Sequence, residues 1–357
     1  MELEQVLLVA TRGGASDIIL KTGHVPRFRH NGILVSLQDG SDLTHDLLSG
    51  WINHMIPEHL REQYYTSGDA DFAYEASFGT RFRVNAFKQR GELGLVLRVI
   101  SGHIRTVEEL QLPDVCNQIA GLKRGLVLVT GATGSGKSTT LAAVIQKINL
   151  ETPSHIITIE DPIEYLFKDS KSTVNQREVG IDTQSFSVAL RASLRQNPDV
   201  IFVGELRDRE TTETALMAAE TGHLVLSTLH TLDAAESLNR IMSYFPPAQH
   251  RSIKSQLAST LQIVLSQRLI QRSNSRSMVP AIEIMIVNQF IRDVIIESTN
   301  FDTIHDAIIK GGQSYGMQSF DQALAQLMSK GVITKEEALR NASSSAAFEL
   351  LLSGISK

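Results

Sequence analysis

The sequence is poor in cysteine, in surplus positive charge and in long apolar runs. Cys116 is its only cysteine, which excludes a disulfide framework within the chain and a Cys-x-x-Cys zinc knuckle. The formal net charge of -5 argues against a protein whose main task is to grip nucleic acid, although it leaves room for a local basic strip. No apolar run approaches the ~20 residues that a membrane helix needs.

What the chain does contain is an ordinary balance of residues over a substantial length. Its 357 residues, 42% apolar and 20% charged, are typical of soluble globular protein and are enough for two domains, each with its own core. The first residues, Met1 to Gln5, are acidic where a secretory signal begins basic. We therefore expect a cytoplasmic protein, which is compatible with work beneath a membrane.

The first 100 residues predict a small α+β domain. An amphipathic opening helix ends at Gly13-Gly14. Residues 27–35 alternate as two strands joined by Asn31-Gly32, the strongest short signal for a hairpin. One helix is predicted at roughly 44–65. Three further strands are predicted at 71–75, 81–87 and 93–100.

The remainder predicts an α/β domain. Residues 101–120 read as a linker with a short helix, and from about 121 strands and helices alternate, as in a parallel sheet with crossovers. This pattern predicts a core at 121–270 and a mostly helical region at 271–357. Beyond residue 231 only one strand-like run stands out, at 279–286. The predicted core strands are 126–130, 155–160, 200–204 and 223–228.

Residues 131–138 form a complete G-x-x-x-x-G-K-[ST] phosphate loop. The motif lies between an apolar strand and a helical pattern that Pro153 ends. In this setting several backbone N–H groups and the positive end of a helix dipole point at one spot. Lys137 adds a mobile positive charge for the β- and γ-phosphates, and the Ser138 hydroxyl can ligate Mg²⁺.

A chance match to four fixed positions should recur in roughly one chain of this length in a hundred, and the flanking strand and helix lower that figure. The sequence therefore predicts a nucleoside triphosphate site. The residues expected to bind the nucleotide are Gly131, Ala132, Thr133, Gly134, Ser135, Gly136, Lys137, Ser138 and Thr139.

Two acidic segments end strands at the edge where open α/β sheets bind ligands. Residues 157–164 carry a cluster of carboxylates that could orient and deprotonate water in line with a γ-phosphate. The alternative for this cluster is a solvated acidic turn around Pro162. The buried run 200–205 ends in Glu205, the general form of a Walker B element without its usual Asp. Glu205 is a candidate to hold Mg²⁺ through water.

Histidines and arginines supply further candidates. His223 and His230 stand before and after an apolar strand, where each is either a nucleotide-sensing residue or a hydrogen-bonded structural one. Arg81, Arg83 and Arg98 lie on predicted strands of the first domain. A strand arginine is ordinarily a solvated or ion-paired side chain, but one that reaches phosphates held by another domain acts as an arginine finger.

Taken in order, these segments resemble the secretion and pilus ATPases of the additional-strand RecA-like class, and closely the PilT/PilU family of type IV pilus retraction ATPases. The resemblance covers nearly the whole chain and is specific because the motifs recur as a series. The segments that carry it are 14–17, 81–84, 131–138, 159–165, 174–180, 204–208, 219–224 and 228–230.

The resemblance implies a PAS-like α+β domain followed by a RecA-like P-loop ATPase domain with a helical C-terminal region. By the same resemblance, Glu164 would be the general base and Glu205 the atypical Walker B acid. Ser138 and Glu205 would form the metal site. The two histidines match the family's histidine box, and two first-domain arginines match those that approach the γ-phosphate. The catalytic residues implied are Glu164, Glu205, Arg83, Arg98, His223 and His230.

The resemblance also implies cofactors and partners: ATP, Mg²⁺ and a cytoplasmic homohexameric ring at the inner-membrane base of the pilus. Its motion would act on the inner-membrane platform protein to withdraw pilin subunits. Several motifs are more similar to PilU than to PilT, among them Ala132 within the phosphate loop and the tail at 347–352. Residues 288–297 match only in part a C-terminal helix that is associated with retraction in PilT.

These departures leave two hypotheses open. In the first the chain is a hexameric ATPase that powers pilus retraction, alone or beside a paralogous retraction ATPase. In the second it is an ATP-binding accessory subunit whose own turnover is dispensable. A related secretion ATPase shares the motor chemistry. An assembly motor is disfavoured because such chains usually carry a four-cysteine zinc insert, and a nucleic-acid translocase is disfavoured by the charge.

Overall fold

The computed structural model describes residues 2–30, 32–37, 40–100, 102, 104–275, 277–298 and 301–353. The chain forms two compact units. The first comprises Met1–His103 with the short segment Glu164–Leu166, and the second comprises Ile104–Ile163 and Phe167–Lys357. The boundaries predicted within the second unit, near residues 120 and 270, stay predictions.

The first unit is built on a six-stranded antiparallel sheet in the order β3-β2-β1-β6-β5-β4. Strict alternation in β5 explains its two faces, since Phe82, Val84 and Ala86 are buried while Arg83 is exposed. The buried face packs with the helices into one apolar core. The elements are α1 (Leu3–Arg12), β1 (Asp17–Lys21), β2 (Arg27–His30), β3 (Ile33–Ser36), α2 (His45–Met55), α3 (Glu58–Ser67), β4 (Asp69–Glu75), β5 (Arg81–Gln89) and β6 (Glu92–Ile100).

Two predictions for this unit need correction. The single helix predicted at 44–65 is two helices, because Pro57 stands between α2 and α3 with φ -59° and cannot donate the backbone hydrogen bond that a continuous helix requires. Strand β1, five residues long, was missed. The predicted hairpin forms, with Arg27 opposite Ser36 and His30 opposite Ile33, while Asn31 of its turn lies outside the described residues. A PAS-like fold for this unit stays a prediction.

The second unit is built on a seven-stranded sheet in the order β13-β12-β7-β11-β10-β8-β9. All neighbouring strands are parallel except the β12–β13 pair. Apolar clusters cover both faces. The first elements are α4 (Val115–Gly121), β7 (Gly125–Thr130), α5 (Lys137–Glu151), β8 (His155–Glu160), β9 (Thr173–Glu178), α6 (Phe186–Ser193), β10 (Val200–Val203), α7 (Arg209–Glu220) and β11 (Leu224–Leu229).

The rest of the second unit is helical around a long hairpin. The prediction of one strand beyond residue 231 was wrong: β12 was missed because α9 runs directly into it, without a turn residue between Thr260 and Leu261. The polar edge strand β9 was also missed. The remaining elements are α8 (Ala234–Ser243), α9 (His250–Thr260), β12 (Leu261–Gln271), β13 (Met278–Ile286), α10 (Gln289–Glu297), α11 (Thr303–Tyr315), α12 (Phe320–Ser329), α13 (Lys335–Asn341) and α14 (Ser345–Leu352).

The predicted fold class, α/β with a helical C-terminal region, is confirmed. One strand, β11, separates the phosphate-loop strand β7 from β10, the strand that leads to Glu205. No helix within the described part of the chain has the length and apolar character to cross a bilayer.

Candidate functional site

The phosphate loop connects β7 to α5 as predicted, and its glycines are required by geometry. Gly131 has φ +142°, and a Cβ there would lie 2.3 Å from the carbonyl oxygen of Gln267. Gly136 has φ +90° and precedes the first residue of α5. Both positions exclude other residues without a shift of backbone. The loop thus brings its N–H groups to the N-terminus of a 15-residue helix.

Lys137 is held at the centre of this loop. The side chain is only 8% exposed, and its Nζ donates to the carbonyl oxygens of Gly131 at 2.8 Å and Ala132 at 3.1 Å. These bonds satisfy a buried ammonium group that would otherwise be costly. Ala132, Thr133 and Gly134 form the exposed outer side of the loop. The ammonium is therefore preorganised beside the backbone that would bind phosphate oxygens.

Gln267 on β12 braces the loop from behind, and the sequence reasoning missed it. Its Nε2 donates to the carbonyl oxygen of Ser135 at 2.8 Å, and its Oε1 accepts from Thr140 Oγ1 at 2.8 Å. The side chain is 2% exposed. The available signal was a polar run at 266–268 between the apolar residues 263–265 and 269–270 of the same strand, because buried polar groups need partners.

We expect Gln267→Ala to raise the dissociation constant for a nonhydrolysable ATP analogue about thirtyfold. Two hydrogen bonds are lost and the Ser135 carbonyl is left unpaired, and each such loss costs about 1 kcal/mol. Fluorescence titration of the purified variant measures the change. Gln262→Ala, on the same strand but bonded to Thr260, is the control. Unchanged affinity in Gln267→Ala would refute the bracing role.

Glu205 lies at the same edge of the sheet, two residues after the end of β10. It is 8% exposed, its Oε2 lies 3.0 Å from Nε2 of His230, and its Oε1 contacts the guanidinium of Arg207. Arg207 also pairs with Asp161 at 3.5 Å. The two predicted residues Glu205 and His230 are thus brought together, and Arg207, whose role the sequence did not suggest, links them to the acidic segment.

His230 faces positive charge. Burial, Lys137 and Arg207 lower its pKa below the ordinary value of 6.5, so its imidazole is neutral at pH 7. A neutral ring with its proton on Nε2 donates to Glu205 and leaves Nδ1 as an acceptor. The effect of Lys137 on this pKa places His230 in the electrostatic field of the phosphate loop. His230 follows β11, whose last residue Leu229 pairs with Thr130 at the start of that loop.

His223 is not part of this cluster. It precedes β11, where Leu224 pairs with Gly125, so it lies at the opposite edge of the sheet, about 20 Å from the phosphate loop within the same chain. Its Nδ1 lies 2.9 Å from the carbonyl oxygen of Ala218. The structure therefore separates the two histidines that the sequence grouped, and the catalytic role of His223 stays a prediction.

The acidic segment splits into three environments. Glu160 is 6% exposed and accepts from Thr158 Oγ1 at 2.6 Å. Asp161 pairs with Arg207. Glu164 is exposed, in the segment that groups with the first unit. The solvated turn weighed for this region therefore describes Glu164 and not Glu160, and the role of Glu164 as base stays a prediction.

In the first unit Arg83 and Arg98 are cross-strand partners on β5 and β6. Both are exposed on the face opposite the apolar core. Arg98 Nε donates to Asp17 Oδ1 at 3.1 Å, and Arg29 Nε lies 3.6 Å from Asp17 Oδ2. The unit thus presents a row of guanidinium groups. Their action as arginine fingers stays a prediction.

A cavity of about 310 Å³ lies beside the start of α5. Its walls combine apolar and charged side chains, and its size is within the range of small-molecule sites. Gly136, Thr139 and Thr140 of the phosphate-loop helix contribute to it, together with residues that the sequence did not single out. These include Leu269, Arg272 and Met278 on or near the β12–β13 hairpin.

Comparison with known proteins gives one consistent family. The family model described as "Type II/IV secretion system protein" matches residues 2–338. PilT of Pseudomonas aeruginosa, named a type IV pilus retraction ATPase, is 42% identical over 96% of this chain and 98% of that protein. PilU of the same organism, named a type IV pilus ATPase, is 40% identical over 99% of this chain and 91% of that protein. These nearly equal identities do not separate the two, so the leaning towards PilU stays a prediction.

A solved structure of the retraction motor PilT with bound ADP superposes with a TM-score of 0.89 at 42% identity, covering 97% of this chain and 98% of that one. Agreement in sequence, length and fold over the whole chain is far beyond what a shared phosphate loop gives. The chain therefore belongs to the type II/IV secretion system protein family, among its PilT/PilU-type pilus ATPases.

Proposed function

We propose that this chain hydrolyses ATP to power retraction of type IV pili. The observation that carries the ATPase assignment is the braced phosphate loop, with Lys137 held at its centre and the Glu205–His230 pair at the same sheet edge. The pilus assignment follows from the names of the relatives, PilT and PilU, which match along nearly the whole chain.

The nucleotide binds with its phosphates on the loop and its base and ribose in the adjoining cavity. The loop N–H groups and the α5 N-terminus stabilise the negative charge of the phosphates. Lys137 leaves its carbonyl partners for the β- and γ-phosphates. His230, hydrogen-bonded to Glu205, can sense the terminal phosphate, since the negative charge of the phosphate favours protonation of Nδ1, whose N–H can then donate to a phosphate oxygen.

Hydrolysis requires an in-line water and a group that takes its proton. We assign that role to Glu164. Its carboxylate accepts a proton from the water as the water oxygen bonds to the γ-phosphorus and the bond to the ADP oxygen breaks. Arg83 and Arg98 supply positive charge that stabilises the transition state when they approach the γ-phosphate.

The chemistry of the donor set fits Mg²⁺. Ser138 offers a hydroxyl on the first turn of α5, and Glu205 offers a carboxylate, which suits an ion that prefers oxygen ligands and keeps part of its hydration shell. Both oxygens of Glu205 already contact side chains, Arg207 and His230, which favours contact through water. When bound, the ion would neutralise charge on the β- and γ-phosphates.

The working assembly is a cytoplasmic homohexamer at the inner-membrane base of the pilus machine. Its partners are the inner-membrane platform protein and, in cells that encode one, a paralogous retraction ATPase. ATP and Mg²⁺ are its cofactors, and no nucleic acid takes part. The support for these assignments is the match to PilT and PilU, which extends over more than nine tenths of each of those proteins.

Imaging of pili in a strain that lacks this gene tests the proposal. Retraction predicts surplus surface fibres with lost twitching, since assembly continues without withdrawal. Bald cells would instead assign the chain to assembly and overturn the proposal. Complementation with the unaltered gene is the control.

A further inference from the structure

The segment 163–167, which contains Glu164, is fastened at both ends by two polar side chains of the edge strand β9. Glu178 Oε2 accepts from the backbone N–H of Ile163 at 3.2 Å, and Gln176 Oε1 accepts from the backbone N–H of Phe167 at 2.8 Å. Glu164 lies between these anchors, directly after Ile163. The bonds therefore fix the backbone on either side of the residue to which we assign proton transfer.

The anchors belong to a wider network on one face of the sheet. In the parallel register Gln176 lies beside Thr158 and Glu178 beside Glu160. Gln176 Nε2 donates to Glu160 Oε1 at 3.1 Å, an oxygen that also accepts from Thr158. Glu178 is 3% exposed. Side chains bonded in this way hold defined rotamers, so they transmit the position of the strand to the segment.

We propose that Gln176 and Glu178 are positioning residues for hydrolysis, which act by holding the 163–167 segment so that Glu164 reaches its working place. This inference rests on the proposed function. The strand β9 pairs with β8 in the sheet that also carries the phosphate loop. The two hydrogen bonds thus connect the backbone at Ile163 and Phe167 to the sheet that carries the phosphate loop. Misplacement of a catalytic group by about 1 Å can cost about 10²-fold in rate.

The test compares three substitutions on β9 in the purified full-length protein. Gln176→Ala and Glu178→Ala remove one anchor each and should lower kcat about thirtyfold, with KM for ATP and affinity for a nonhydrolysable analogue within about twofold. Glu178→Gln keeps an oxygen that accepts from Ile163, so it should retain most of the parent rate. Asn175→Ala is the control, since Asn175 bonds to His155 on the opposite face of the same strand.

Several outcomes would overturn the inference. In one, Gln176→Ala and Glu178→Ala have a kcat within twofold of that of Asn175→Ala. In another, the kcat of Glu178→Gln is as low as that of Glu178→Ala. Equal losses in kcat and in analogue affinity would also overturn it, because they would show damage to nucleotide binding where the positioning role predicts none. Because Glu178 is buried, Gln176→Ala at the half-buried position is the deciding variant if Glu178→Ala fails to fold. Glu164→Gln distinguishes failure of the proposed function from failure of the positioning role. If Glu164→Gln is inactive while the anchor variants are active, the proposed function stands and only the positioning role of Gln176 and Glu178 is refuted.

Discussion

Replacing Glu164 by glutamine is expected to lower kcat for ATP hydrolysis about a thousandfold while nucleotide affinity stays within about twofold. Glutamine keeps the size of the side chain but cannot accept the proton of the attacking water, and general base catalysis contributes about 10²–10⁴-fold. Glu164 is exposed, so the change leaves the apolar cores intact. The phosphate loop and its brace at Gln267 are untouched, so binding should survive.

Steady-state phosphate release and titration with a fluorescent ATP analogue measure the two quantities. The matched control is Glu213→Gln, the same substitution at an exposed carboxylate on α7 whose partner is Arg209. Its kcat should stay within about twofold of the parent. A Glu164→Gln protein that hydrolyses ATP like its parent would remove Glu164 from the mechanism. The next candidate would be Asp161, which pairs with Arg207 and through it connects to Glu205.

Parts of this site could be predicted because their signal is contiguous in sequence. The phosphate loop needs a strand, a run of glycines and a helix start in immediate succession, and all three were visible between residues 125 and 148. Glu205 was visible as an acid at the end of an apolar strand. The fold class followed from the alternation of strands and helices.

Other parts of the site depend on the order of strands in the sheet, which cannot be read from the sequence. Gln267 reaches the phosphate loop because β12 pairs with β7, although the two strands are more than 100 residues apart. Gln176 and Glu178 lie on a polar edge strand without the apolar run that marks a buried one. The two histidines looked alike on either side of β11, yet the direction of that strand puts only His230 at the phosphate edge.

Replacing Lys137 by alanine should abolish both hydrolysis and tight nucleotide binding, the second large effect. The ammonium is the one charged side chain within the loop itself, and removal of a group that stabilises charge in the transition state typically costs about 10²–10³-fold in kcat. Loss of the hydrogen bonds from Nζ to Gly131 and Ala132 would also make the loop backbone less ordered. The control is Lys147→Ala on the same helix, where the side chain pairs with Glu151 on the exposed face.

The same substitution separates the two remaining hypotheses in cells. If this chain is a motor, a strain that carries only the Lys137→Ala copy should accumulate surface pili and fail to twitch, as the deletion strain does, while Lys147→Ala behaves as the parent. Normal retraction with Lys137→Ala would mean that another ATPase supplies the work. The chain would then serve as an accessory subunit whose nucleotide site is dispensable. Because Lys137 is only 8% exposed and bonds to the loop carbonyls of Gly131 and Ala132, we would assign a defect to the nucleotide site.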